Sequence, residues 1–422
     1  MIPMIFRFSL YGFLKNQRYF EAFLVLAFLD KGLNFFEIGL LVAVRELAVN
    51  LLEVPSGAIA DIYGRRLVMI GAFISYIISF LVLGLADHIG LLFAGMFLFG
   101  VGDSFRTGTH KAMIFAWLRL HDRSDERVRV YGYTRSWSKI GSAVSVLIAA
   151  GIVLVSDRYT AIFFIAIVPY SLAIINFLGY PKELDARAEK PPSLGAAFTH
   201  MVDSIKVAVH ERRMRRLVLE SMGFDGVFDA VKDYLQPVLA MAAVSAAAMF
   251  MLASDWSDTR RTALLVGPVY FVLHLLAGAA SRHAHRACDA AHGEEPAARY
   301  LWVIVAVLYA GLALAGFFGV YAGLIVGFVL LHVAHNLWRP ILISRFDRHG
   351  PETHGASLLS IESQGRRAST MVIAPALGLA IDAVAAGGPG GMYWPIGALG
   401  LVVSVVMLAS SRSRSIARPS DP

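Results

Sequence analysis

Long apolar runs broken by short polar stretches occupy the chain from end to end. Twelve of them predict membrane-crossing helices, at residues 5–29, 36–58, 67–87, 90–118, 131–155, 159–179, 216–241, 262–281, 300–318, 320–343, 356–384 and 393–410, because a bilayer core takes roughly 20 helical residues. The seventh is the most polar, carrying Glu220, Asp225, Asp229, Lys232 and Asp233. The apolar stretch 242–253 is too short to span alone and reads as an external extension or a re-entrant piece. The longest internal connection, 180–215, contains Pro191-Pro192 and then apolar residues at helical spacing (Leu194, Phe198, Met201, Ile205, Val209) opposite His200, Asp203, Lys206 and His210. That pattern predicts an amphipathic helix on the inner membrane surface, tethering two halves. The domain reading is a six-helix bundle at 1–180, a linker at 181–215, a second six-helix bundle at 216–411 and a tail at 412–422.

The halves repeat weakly. Arg18 and Glu21 of the first span fall on Asp233 and Gln236 of the seventh at an offset of 215. Gly57 falls on Gly278 at 221, and Asp103, Arg106, Thr107 and His110 fall on His332, His335, Asn336 and Arg339 at 229. Ordered matches with slowly growing offsets are what a duplicated bundle requires.

Composition sharpens this picture. Hydrophobic residues make up 57% of the 422 residues and charged ones 16%, against about 25% charged in soluble domains. A soluble enzyme and a disordered chain are both excluded. The net charge of +7 is explained by sidedness. With the N-terminus inside, cytoplasmic connections hold Arg65, Arg66, Arg119, Arg123, Arg127, Arg129, Arg212, Arg213, Arg345 and others, while the opposite side holds only Lys31, Arg158, Arg260 and Arg261. This positive-inside asymmetry places both termini in the cytoplasm of a bacterial inner-membrane protein and removes nucleic acid as a partner. No cleavable leader is evident, so the first span is expected to be retained. The single cysteine, Cys288, allows no internal disulfide and no cysteine-based metal site.

Between the second and third spans the chain reads Gly57-x-x-x-Asp61-x-x-Gly64-Arg65-Arg66. This resembles the signature loop of the major facilitator superfamily, in sequence and in position. Residues 99–112 are similar to the fourth-helix arginine motif of that family, and 354–363 to the start of its eleventh helix. The glycine-proline motif of many drug exporters is absent from the fifth span, which has Gly141 and Gly151 without the proline. The resemblance implies an all-α membrane protein of the twelve-helix bacterial type, similar to the drug and metabolite efflux branch, with two pseudo-symmetric bundles around a central cavity lined by helices 1, 4, 7 and 10. It also implies that Asp61 packs against the start of helix 11 and helps to gate the cytoplasmic side.

Charges inside a membrane cost about 2.5–3.5 kcal/mol each and should face a cavity or one another. Taken as straight helices, four spans carry polar faces: Tyr11, Lys15 and Arg18 with Glu21 nearby; Asp103, Arg106, Thr107 and His110; Asp225, Asp229, Lys232 and Gln236; and His332, His335, Asn336 and Arg339. These are the cavity candidates. Arg18, Arg106 and Arg339 offer forks for carboxylate or phosphate, or else neutralise buried acids as structural pairs. Asp103, Asp229 and Glu21 are candidate proton carriers, and His110, His332 and His335 candidate relays. Glu362 and Arg366, four apart, read as a simple pair. No nucleotide-binding loop, cofactor or metal site is expected. The expectation is a monomeric secondary transporter in the lipid bilayer that exports a small molecule against protons. Uptake of an anionic metabolite and a membrane-embedded enzyme are the alternatives.

Overall fold

The computed structural model describes residues 3–107, 109–185, 195, 210–250, 255–349 and 355–412, and every regular element among them is helical. The expected amphipathic helix at 193–209 lies outside the described residues apart from Gly195, as does the tail from 413. Two compact units form. One comprises Met1–Gly32, Val44–Val202 and Ala253–Phe271; the other comprises Leu33–Ala43, Asp203–Leu252 and Val272–Pro422.

The helices, in chain order, are α1 (Met4–Leu14), α2 (Leu24–Asp30), α3 (Phe35–Tyr63), α4 (Arg65–Leu85), α5 (Ile89–Arg106), α6 (Thr109–Leu120), α7 (Arg127–Ser156) and α8 (Ala161–Leu178). After the linker come α9 (Arg212–Ser221), α10 (Val227–Val231), α11 (Leu235–Phe250), α12 (Asp258–Arg282), α13 (Ala284–Ala290), α14 (Glu294–Phe317), α15 (Tyr321–His349), α16 (Gly355–Ala385) and α17 (Trp394–Arg412). Among the described residues, eight helical stretches are long and apolar enough to cross a membrane. The remaining expected spans are helical too, but interrupted, charged or shorter.

Three spans read as straight helices are broken. The first stops at Leu14, passes through a 3-10 turn at Tyr19–Ala22 and resumes as α2. The fourth divides into α5 and α6, with Thr107 in extended backbone. The seventh carries a π turn at Met222–Gly226 and a 3-10 turn at Lys232–Tyr234. Irregular backbone is tolerated at membrane depth only where protein or a cavity covers it, so these breaks mark protein-lined positions. Of the stretch 242–253, read as an external extension or a re-entrant piece, the described part to Phe250 extends α11 without a break.

In the first unit, α4 lies along α5, where Ser75 and Ser79 donate to the carbonyls of Leu98 and Gly95, both at 2.7 Å. An aromatic core of Phe73, Tyr76, Phe80, Phe99, Tyr170 and Phe177 fills the space between α4, α5 and α8. α1 and α7 approach closely at Gly141, where a Cβ would meet the carbonyl oxygen of Phe13 at 2.7 Å. In the second unit, α14 packs on α15 and α17. Phe224 stacks on Trp338 with centroids 4.3 Å apart, and Trp302 closes the cluster edge-on. The N–H groups of Phe35 and Phe36, which open α3, donate to the two carboxylate oxygens of Asp382 on α16 at 3.1 and 2.8 Å. That satisfies donors a helix start leaves orphaned and sets a negative charge at its positive end.

Apolar residues remain uncovered in stripes. Leu67, Ile74, Ile78, Leu81 and Leu85 follow one face of α4, and Ile165, Val168, Leu172 and Ile175 one face of α8. Uncovered stripes of this length on several helices are a lipid-facing surface.

Candidate functional site

The Gly57–Arg66 motif runs from the end of α3 into α4. Gly64 takes φ +97°, a conformation that glycine adopts without penalty, and this separates the two helices. Asp61 pairs with Arg65 one turn on, at 3.5 Å. The backbone N–H of Arg66 donates to Asp185 Oδ1 at 2.7 Å, its Nε lies 3.2 Å from Asp185 Oδ2, and its Nη1 donates to the Tyr180 carbonyl at 3.1 Å. Of the partners open to these arginines, carboxylate or lipid phosphate, both take carboxylates. Asp185 was not a candidate from sequence. It lies 119 residues from Arg66 in a polar connection, and no spacing rule joins the two. Asp185→Asn is expected to cost about 1–3 kcal/mol, because a charge-assisted cap on the first turn of α4 is lost. Thermal unfolding in detergent would check this; an unchanged midpoint would show that the contact adds nothing.

The polar residues of the first unit form two groups. Tyr76 donates to Asp103 Oδ1 at 2.5 Å, and Arg106 donates to the same Oδ1 at 3.0 Å and to Tyr76 Oη at 3.0 Å. Asp103 is thus an ion-paired acid. Thr107 leaves this group: its hydroxyl turns back to the Asp103 carbonyl at 2.8 Å. His110 sits on the separate helix α6, its ring 3.8 Å from that of Tyr11, with Nε2 3.2 Å from Tyr180 Oη. The break between α5 and α6 is why the expected four-residue face does not hold. Arg18 lies 3.8 Å from Glu21 and over the ring of Phe20, while Lys15 lies over Tyr11.

A cavity of about 230 Å³ opens between α1, α6 and α7. Lys15, Arg135, Lys139, His110, Tyr11 and Tyr131 contribute to its walls, and no carboxylate does. Arg135 and Lys139 were not candidates from sequence. Spaced i, i+4 and i+8, Tyr131, Arg135 and Lys139 share one face of α7, and that spacing was the available signal.

In the second unit one guanidinium serves two buried acids. Arg339 on α15 makes a bidentate contact with Glu362 on α16, at 2.6 and 2.9 Å, and donates to Asp225 Oδ2 at 2.8 Å. Asp225 sits on the π turn, fully buried, and Glu362 is 1% exposed. Ser221 donates to Glu362 at 2.5 Å. His335 Nε2 lies 3.0 Å from Asp225 Oδ1, close but out of line for a hydrogen bond, and its ring stacks on Phe228. Asp229 pairs with Lys232 at 2.7 Å and with Arg366. Three acids therefore face three fixed cations, with His335 as a further base.

Glu362 and Arg366 do pair, but as part of a wider network. They are 3.9 Å apart, and their shorter contacts are to Arg339 and Asp229 on other elements. His332 does not join the network; its Nδ1 turns to the Phe328 carbonyl at 2.8 Å, and Asn336 donates to the His332 carbonyl at 2.9 Å. Gln236 is fully buried. No group of residues suited to hold a metal occurs among the described residues.

Comparison with known proteins accords with this geometry. A family model described as Major Facilitator Superfamily matches residues 16–365. An uncharacterized MFS-type transporter of Bacillus subtilis (strain 168), YxaM, is 23% identical over 224 residues, 52% of this chain and 54% of that protein. The chain thus spans about half the length of that curated relative. Among solved structures, a point mutant of the nucleoside transporter NupG superposes with a TM-score of 0.78 at 13% identity, covering 97% of this chain and 99% of that one. A POT family transporter in complex with 5-aminolevulinic acid gives 0.69 at 14%, covering 98% and 96%. A D-xylose-proton symporter gives 0.66 at 16%, covering 96% of each chain. At these identities the likeness is one of fold.

Proposed function

The chain belongs to the major facilitator superfamily, and on that premise we propose that it moves a small organic solute across a bacterial inner membrane by alternating access, with protons as the coupling ion. The coarser statement needs no proposal: this is a multi-pass membrane protein of a family of secondary transporters of small solutes, not of enzymes. The moving halves in this reading are residues 1–180 and 216–411, with both termini in the cytoplasm, as the positive-inside pattern supports, and the Gly57–Arg66 loop acts as a gate.

The observation that carries proton coupling is the sharing of Arg339 by Asp225 and Glu362. Two buried acids on one cation form an arrangement with two states. Protonating either acid ends its claim on the guanidinium, and breaking a buried pair is energetically large enough to drive a repacking. In the direction proposed, protons enter as solute leaves, in keeping with the resemblance to efflux transporters. A second reading, uptake with protons, is favoured by the cation-lined cavity of the first unit.

The test uses energised inside-out vesicles carrying the protein, with a pH-gradient dye and a broad compound panel. A compound-dependent collapse of the gradient is the expected result. Accumulation in right-side-out vesicles instead would select uptake. Solute movement that ignores the proton gradient in both orientations would end the proton-coupled reading.

A further inference from the structure

The cavity between α1, α6 and α7 has a one-sided chemistry that transport by itself does not explain. Three cations line it: Lys15 from the end of α1, and Arg135 and Lys139 from one face of α7. No acid is among its walls, and among the described residues none of the three forms an ion pair with a carboxylate. Several other cations of this unit are committed to acids, Arg106 to Asp103, Arg66 to Asp185, Arg45 to Glu46 and Arg18 to Glu21. Phe8, Tyr11, His110 and Tyr131 add aromatic rings to the lining, and Asn16, Thr134, Ser138 and Ser142 add neutral polar groups. The ring of Tyr11 lies 3.8 Å from that of His110, and Tyr131 is also in the lining. Like charges gathered around a half-open cavity repel one another, and a bound anion relieves that repulsion. At about 230 Å³ the space suits a compact organic group and falls short of the roughly 300–1,000 Å³ of drug-sized sites.

We propose that this cavity is the seat for the charged end of the cargo, and that the cargo is a small organic anion bearing a planar or aromatic portion. Its oxyanion (carboxylate, sulfonate or phosphate) is held by Lys15, Arg135 and Lys139, and its apolar part lies against Tyr11 and Tyr131. This rests on the transport reading for the word cargo, but the anion site itself does not.

The test is titration calorimetry on the full chain in lipid nanodiscs with two matched pairs, benzenesulfonate against benzenesulfonamide and benzoate against benzamide. Each pair shares shape and differs in charge. The anions are expected to bind at least about tenfold more tightly than their neutral partners, since charge-assisted contacts are the stronger ones. Arg135→Gln and Lys139→Gln are each expected to weaken anion binding about tenfold or more and to leave the neutral compounds unaffected. Arg129→Gln, at the same end of α7 and outside the cavity lining, is expected to change neither, and it controls for a general loss of positive charge. Equal affinity for charged and neutral partners, or anion binding that survives both α7 variants, overturns the proposal.

Exchange of labelled benzenesulfonate in proteoliposomes separates the two readings. Charge-dependent binding without exchange leaves the anion site standing and counts against transport. Exchange of uncharged solutes with no anion binding leaves transport standing and ends the anion site.

Discussion

Arg345→Met lowers the stability of the second unit by about 3–5 kcal/mol, the range expected when one partner is removed from a buried ion pair. Arg345 is 1% exposed, and its Nη1 donates to Glu220 at 2.6 Å while Nε and Nη2 grip Glu295, both at 2.9 Å. The two acids respond differently. Glu295 is half exposed and regains water when the arginine goes. Glu220 is buried and, among the described residues, keeps Arg216 at 2.7 Å, so its carboxylate loses one of two guanidinium partners. The methionine side chain fits the volume but offers no donor. Urea unfolding in detergent would measure the effect, with Arg348→Met as the comparison. Arg348 is exposed and lies 3.4 Å from Glu294, a surface pair worth about 0–1 kcal/mol. Equal losses for the two variants would mean that the burial of Arg345 does not set its worth.

Glu362→Gln is expected to cut proton-driven transport steeply while leaving solute exchange in place. The amide keeps the shape of the carboxyl group and a hydrogen bond to Ser221, but it cannot take up and release a proton or balance Arg339. Arg339 then remains with Asp225 alone. A hydrogen bond to a charged group contributes about 1.5–3 kcal/mol, which converts to a loss of roughly tenfold to a hundredfold in a rate that depends on it. The readouts are gradient-driven flux and counterflow exchange in the same proteoliposomes, each across a pH series. Loss of flux together with its pH dependence, and retention of exchange, supports coupling through Glu362. Equal loss of both assigns Glu362 to structure, and unchanged flux moves the coupling elsewhere.

The candidate residues show where reading a sequence reaches its limit. Helical spacing on single spans brought forward Asp225, Asp229, Lys232, His335 and Arg339, and all five meet in the network of the second unit. The same reasoning placed His332 and Asn336 beside them, and Thr107 beside Asp103 and Arg106, although these side chains turn back to their own helix carbonyls. A polar residue on a helix has two ways to satisfy itself, across a gap or along its own backbone, and spacing does not choose between them. The long-range partners of Glu362, Asp185 and Arg345 went unforeseen for the complementary reason. Their partners lie 23, 119 and 125 residues away, beyond any periodic signal.

The sequence by itself determined that this chain is helical, spans a membrane and belongs with transporters. The first two follow from quantities summed along the chain, apolar run length against bilayer thickness and arginine and lysine counts on alternate connections, and the third from the resemblance of the Gly57–Arg66 loop to a family signature. Only the tertiary structure decided which charges are paired, where the first, fourth and seventh spans break, and which cations are left to face a cavity. Those outcomes depend on which helix comes to lie opposite which. Close packing sets that choice, through contacts such as Gly141 on Phe13 and Phe224 on Trp338. A buried charge then takes whatever partner the packing presents, because leaving it alone costs more than any local preference along the chain can repay.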